Sequence, residues 1–264
     1  MYRREGAQPV HRLDLEIPES GDDLPLVVYV HGGAWREGDR RQVFDKPAFF
    51  GREGFAFASV DYRLSTAESG VSHPMHVEDV AAAVAWLEEH AGDYCIDSKR
   101  IVAMGHSAGG YIVAALGADV RYLRKAGASP RSLRCVMVND TEGFDLPRLF
   151  AKRERGWIRE TYENAFGSDE AVWRDASPIR HVSAHPGLPH FLLVTRGSEE
   201  RKAQVAAFAE TVRAASGIAF VVDAEPRDHL EIDRKLGAPG DDLGPTTVLF
   251  YRRCLGMDRP FSPR

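Results

Sequence analysis

Apolar residues along this chain fall into short runs of four to six, rich in Val, Ile, Leu and Phe, separated by longer stretches with helical spacing. Six runs read as strands: Leu26–Val30, Phe55–Val60, Ile101–Met104, Leu133–Val138, Phe191–Thr195 and Ile218–Val222. A seventh, Arg12–Ile17, alternates polar with apolar residues and predicts a half-exposed antiparallel edge strand. Between them, residues 76–91 place Val77, Val80, Ala81, Val84, Ala85 and Leu87 on one helical face, just behind Pro74. Residues 199–215 do the same with Val205, Phe208 and Val212, and Ser107–Leu116 predicts a third helix whose alanines and glycines allow close packing on the sheet. Strands alternating with helices imply an α/β fold, a mostly parallel open sheet covered on both faces. The longest interval without a core strand, Asn139 to Pro189, carries Phe144, Leu149, Phe150, Trp157, Ile158, Tyr162, Phe166 and Trp173. That is too apolar for a solvent loop and predicts a small helical cap inserted at about 143–180.

Length and composition narrow the picture. With 264 residues, 44% of them hydrophobic, and no linker-like stretch, a single domain is expected. The net charge is −5, with acids and bases mixed throughout, so no basic footprint for nucleic acid is present. The nearest approach, Lys152 to Arg155, is interrupted by an acid. No run of eighteen apolar residues suggests a membrane span, and the amino terminus has basic residues without an apolar segment behind them. Cys95, Cys135 and Cys254 are too few and too scattered for a disulfide framework or a zinc site, and suit a reducing compartment. A cytoplasmic protein is the expectation.

Chemistry enters at Gly105-His106-Ser107-Ala108-Gly109, directly after the run Ile101–Met104. A serine on a sharp strand-to-helix turn has its hydroxyl lifted clear of the backbone, and the residues two before and two after it must be tiny. By itself the pattern is weak, arising by chance in roughly one chain in ten of this length. Context strengthens it. The run Leu26–Val30 is followed by His31-Gly32-Gly33-Ala34-Trp35, a loop whose backbone can approach a ligand closely enough to present bare N–H groups. The donors expected for an oxyanion are the N–H groups of Gly32, Gly33 and Ala108, with Ala34 as a further candidate. His31 and Trp35 would brace the loop.

These stretches resemble the α/β-hydrolases, and more narrowly the carboxylesterases of the hormone-sensitive-lipase group and their small relatives similar to kynurenine formamidase. The resemblance also covers Val60–Leu64, His73 and Pro74 through Leu87, Arg100–Gly110, Asp175–Ile179, and Asp228 with His229. It implies an acid between the nucleophile and the histidine in chain order, after the strand Phe191–Thr195. There the family's Gly-x-x-Asp or Gly-x-x-Glu pattern maps onto Glu200, with Glu199, Asp223 or Asp228 as alternatives. Of ten histidines, only His229 follows the last strand, in a polar loop able to return to the sheet. The expected catalytic set is therefore Ser107, His229 and Glu200, with no metal and no organic cofactor. His106 is expected to pack beneath the turn, and His73 and His76 to lead into a helix. Asp79 is expected to be a structural anchor, and Asp61 and Arg63 an internal pair.

For substrate contacts the sequence offers Trp35 and Phe144, with Phe150, Trp157 and Tyr162 as further aromatic candidates, and Arg148, Arg153, Arg155 and Arg159 as possible anion receivers. The expected partner is a small-molecule ester, without nucleic acid or membrane. An exposed last strand would allow a homodimer. Two other functions remain open: an arylformamidase, against which Ala34 stands where such enzymes typically carry Tyr, and a binding protein that kept the fold without its chemistry.

Overall fold

In a computed structural model that describes residues 1–3, 6–19, 21–66, 68–152, 155–183 and 187–257, the strands form one seven-stranded sheet of order β1-β3-β2-β4-β5-β6-β7. They are β1 (Leu13–Glu16), β2 (Leu24–Val30), β3 (Ala56–Val60), β4 (Ile96–His106), β5 (Leu133–Asn139), β6 (His190–Thr195) and β7 (Ala219–Asp223). Only β1 runs antiparallel, against β3, as its alternating pattern predicted. β2 and β3 are buried along their whole length, because helices cover both faces.

Ten helices accompany the sheet among the described residues: α1 (Lys46–Arg52), α2 (Met75–Glu89), α3 (Ala108–Ala118), α4 (Val120–Ala126), α5 (Leu146–Lys152), α6 (Trp157–Phe166), α7 (Glu170–Asp175), α8 (Glu199–Ala214), α9 (Glu231–Arg234) and α10 (Leu243–Cys254). Every residue of α3 is buried, which explains its lack of any polar stripe. Alternation along β2 divides the core. Leu26, Val28 and Val30 face the layer that contains α2, α3 and α8, whereas Val27 and Tyr29 face α1 and α10.

The aromatic segment between β5 and β6 folds into α5, α6 and α7. Trp35 sits edge-on to Tyr111, Tyr162 and Phe166, with ring centroids 5.0–5.6 Å apart, so this segment is tied to the loop after β2. Asp79 is fully buried and meets Arg63, Arg3 and His11. The partner of Asp61 is Arg40 rather than Arg63, because Arg63 turns its fork onto Asp79.

The cysteines depart from expectation. Cys135 on β5 and Cys254 on α10 are bonded, 119 residues apart in sequence, and Cys95 alone is free. Neighbouring elements in space bring together what sequence spacing kept apart, and the cysteine count no longer argues for a reducing compartment. Among the described residues no helix is long and apolar enough to cross a membrane.

Three buried histidines make stability pH-dependent. Burial lowers His73 and His106 from 6.5 to about 4, and His76 to about 3. His73 faces the Tyr122 hydroxyl and His76 the Ser65 hydroxyl, neutral partners that do not compensate a proton. Below about pH 6.5 the unfolded chain takes up protons that the folded chain refuses, so stability falls as pH falls. The urea midpoint is expected to drop between about pH 7.5 and pH 4.5, and an unchanged midpoint would contradict this account.

Candidate active site

Ser107 immediately follows β4 and caps α3 with φ 53° and ψ −118°, a conformation that L-residues rarely adopt. The turn is held by close backbone contact. A Cβ on Gly109 would lie 2.1 Å from the Val30 carbonyl oxygen, and one on Gly105 would lie 2.3 Å from the Gly109 oxygen. Any side chain there would push the strands apart. Ser107 N–H donates to the Asn139 carbonyl over 2.9 Å, which ties the turn to the end of β5.

The loop after β2 packs against this turn. A Cβ on Gly32 would come within 2.9 Å of His106 Nδ1 and 3.3 Å of Ser107 Cβ, so only glycine brings the loop that close. Gly33 has φ 114°, and the backbone N–H groups of Gly32, Gly33 and Ala34 donate to no protein acceptor among the described residues. Ala108 N–H, in the first turn of α3, is one of the donors a helix leaves unpaired. Gly32, Gly33 and Ala34 line the same groove as Ser107, and Ala108 follows it directly in the chain. His31 is buried, stacks on Tyr62 at 4.5 Å and bonds the Gly32 carbonyl through Nδ1, which braces the loop.

His229 Nε2 lies 3.0 Å from Ser107 Oγ. Its other ring nitrogen, Nδ1, donates to Asp140 Oδ2 over 2.6 Å. With the proton on Nδ1, Nε2 is free to accept the serine hydroxyl. The carboxylate at His229 is therefore Asp140, and the expectation of Glu200 is corrected. Glu200 stands in the first turn of α8, 41% exposed, in an ion pair with Lys152 at 2.8 Å. Glu199 is almost fully exposed, Asp223 pairs with Lys202, and Asp228 accepts the N–H groups of Leu230 and Glu231.

Register explains the change. His106 pairs with Asn139 across β4 and β5, so the residue after Asn139 lies beside the serine turn, while the end of β6 is one strand farther away. The signal in the sequence was a carboxylate directly after a buried strand, Val138-Asn139-Asp140, on the neighbour of the nucleophile strand.

Asp140 is completely buried. Burial raises its pKa, but the His229 hydrogen bond and the guanidiniums of Arg201 and Arg196 outweigh it and hold the carboxyl below the usual range. His106 was also undervalued by sequence. Its Nε2–H donates to the His229 carbonyl over 2.7 Å and its ring lies 4.5 Å from the His229 ring, so it supports the histidine loop from below. Asp233, four residues after His229, is tied to Lys46 and to the Tyr29 hydroxyl, which anchors α9 beneath the same loop.

Two cavities meet at Ser107. One, of about 230 Å³, is bounded by Ala34, Trp35, Ala108, Thr161, Tyr162, Arg196 and Arg201. The other is an open groove of about 570 Å³ that runs past Gly33, Glu37, Gln42, Phe44, His106, Leu230 and Arg234. Trp157, 66% exposed, borders both. Phe144 borders neither. It is 2% exposed and stacked on Phe208 at 4.6 Å, so the expected substrate contact is a core residue. Phe150 likewise stacks on Trp173. Arg148, Arg155 and Arg159 line neither cavity, and Arg153 lies outside the described residues. No group of three or more metal-ligating side chains occurs among the described residues.

A seven-stranded, mostly parallel sheet with a serine on its strand-to-helix turn, a histidine and a carboxylate at its carboxyl edge defines an α/β-hydrolase. Residues 13–206 match the family described as BD-FAE, and the chain belongs to it. Esterase LipC of Mycobacterium tuberculosis is 27% identical over 226 residues, covering 80% of this chain and 54% of that protein. Carboxylesterase NlhH of the same species is 35% identical over 115 residues, 43% of this chain and 34% of NlhH. A probable isoprenylcysteine alpha-carbonyl methylesterase of Arabidopsis thaliana is 26% identical over 86% of this chain and half of its own length. The chain thus spans about half the length, or less, of these curated relatives. Among solved structures, a butyrate-bound esterase of Thermogutta terrifontis shares the fold with a TM-score of 0.73 and 22% identity, covering 98% of this chain and 97% of that one. Esterase B of Lactobacillus Rhamnosis gives 0.75 and 18%, with 97% and 84% covered.

Asp140→Asn is expected to lower kcat on an activated ester by on the order of 10³–10⁴-fold, since an amide favours the wrong imidazole tautomer. Glu200→Gln is expected to stay within about twofold of wild type, because its half-exposed side chain pairs with Lys152 rather than with His229. Parallel kcat measurements on the two variants check the assignment, which the reverse ranking would refute.

Proposed function

We propose that this protein is a serine hydrolase of carboxylic esters, working through Ser107, His229 and Asp140. The observation that carries this reading is the unbroken chain of hydrogen bonds from Ser107 Oγ through His229 to Asp140, beside backbone N–H groups that have no acceptor among the described residues. His229 takes the Ser107 proton as the hydroxyl attacks the ester carbonyl, and Asp140 holds the imidazole in the productive tautomer and stabilises the imidazolium. The new oxyanion receives the N–H groups of Gly32, Gly33, Ala34 and Ala108, which need no reorganisation because the glycine contacts already fix them. His229 then protonates the departing alcohol, and a water activated by the same imidazole releases the acid from Ser107.

The two cavities divide the work by size. The smaller suits a short to medium acyl or aryl group against Trp35 and Tyr162, and the open groove accommodates a larger partner. Named esterases among the relatives support the class of reaction and leave the particular ester open.

Hydrolysis of p-nitrophenyl acetate and butyrate by the wild type, with Ser107→Ala reduced by on the order of 10⁵-fold or more, is the expected result. Equal rates for the two proteins, or no labelling of Ser107 by a fluorophosphonate, would sink the proposal and favour a binding role.

A further inference from the structure

The turn after β6 and the start of α8, where the resemblance placed the acid Glu200, instead bring two guanidiniums to Asp140. Arg196 Nε donates to Asp140 Oδ2 over 3.0 Å. Arg201 Nε donates to Asp140 Oδ1 over 3.0 Å, and its Nη2 reaches the Asp140 carbonyl oxygen at 2.7 Å. We infer that Arg196 and Arg201 are positioning residues that hold Asp140 ionised, in its strained backbone conformation and aimed at His229, an inference that rests on the proposed triad.

Two constraints make such a clamp necessary. Asp140 has φ 49°, a left-handed conformation that costs an L-residue energy, and its N–H is tied to the Val194 carbonyl at the end of β6. Arg201 grips both the carboxylate and the carbonyl of this one residue, so it resists rotation of the peptide as well as of the side chain. The second constraint is electrostatic. A carboxylate at zero exposure facing only a neutral imidazole would tend to take up a proton, and an acid in that form no longer orients the histidine. Two adjacent guanidiniums, charged at all working pH values, keep the anion stable.

The charge balance around the pair is closed locally. Glu142, beyond β5, lies 3.6 Å from Arg201, so the cluster of Asp140, Glu142, Arg196 and Arg201 sums to zero. On the other side of His229, His106 from the end of β4 meets its carbonyl, and Asp233 from α9 acts electrostatically on His106. Asp228, on the histidine's own segment, is committed to backbone N–H groups. Removing either guanidinium leaves the negative charge of Asp140 less compensated. Asp140 then protonates more readily, which moves the acid limb of activity to higher pH.

The test compares Arg196→Gln, Arg201→Gln and Arg201→Lys with wild type and Asp140→Asn, measuring kcat, KM, the pH profile of kcat/KM and the melting temperature. Both Gln variants are expected to lose about 10- to 100-fold in kcat at nearly constant KM. Their acid limb should rise by roughly one pH unit. Arg201→Lys, which keeps the charge but not the fork, should retain the wild-type acid limb with a partial loss of kcat. Arg196, the more exposed of the two, tests the same point should Arg201→Gln unfold. Folded Gln variants with an unchanged acid limb and kcat, or a loss confined to KM, would overturn the clamp. Full activity in Asp140→Asn would instead overturn the triad reading itself.

Discussion

Everything at this site depends on how closely backbone approaches backbone at the turn between β4 and α3. Gly105 and Gly109 touch each other across the turn, Gly109 lies against the end of β2, and Gly32 presses on His106 and Ser107 from the opposite side. Because these contacts leave no room for a single Cβ, the ends of β2, β4 and the start of α3 form one rigid unit. The strained Ser107 backbone persists because its surroundings over-determine it. The loop after β2 and the start of α3 are thereby held against the serine turn.

A second consequence follows from register. The serine turn is bonded to Asn139 at the end of β5, so the next residue along that strand has the shortest route to a histidine standing over the serine. Asp140 occupies that point, and the turn one strand farther out is free to carry cations instead of an acid. The arrangement exchanges one problem for another: an acid this close to the core is fully buried, and Arg196 and Arg201 supply the compensating charge. The histidine is supported in the same layered manner, by His106 at its carbonyl and by the Lys46–Asp233–Tyr29 cluster under α9.

Segments whose meaning is local were legible from the chain alone. The apolar runs became strands, most within a residue or two of their expected bounds, although β4 begins five residues earlier than its apolar run and β7 leaves Phe220 and Val221 exposed at the sheet edge. The serine turn, the glycine loop and His229 were legible for the same reason, since steric demands and chain order leave few residues able to serve. Phe144 was misjudged because an aromatic residue in an inserted segment can face a cavity or the core, and only its stacking on Phe208 distinguishes the two. The link between Cys135 and Cys254 was invisible because 119 residues separate partners that the sheet and α10 bring together.

The amino-acid sequence by itself determined the alternation of strands and helices, the serine on its glycine-bounded turn, the glycine loop after β2 and the candidate histidine, because each is written in contiguous residues under local steric rule. Tertiary structure alone decided which carboxylate meets His229, which arginines hold it, and which aromatics line the cavity. Those choices depend on strand order and register, which place Asp140 beside a serine 33 positions away in the chain and leave Glu200 at the surface with Lys152.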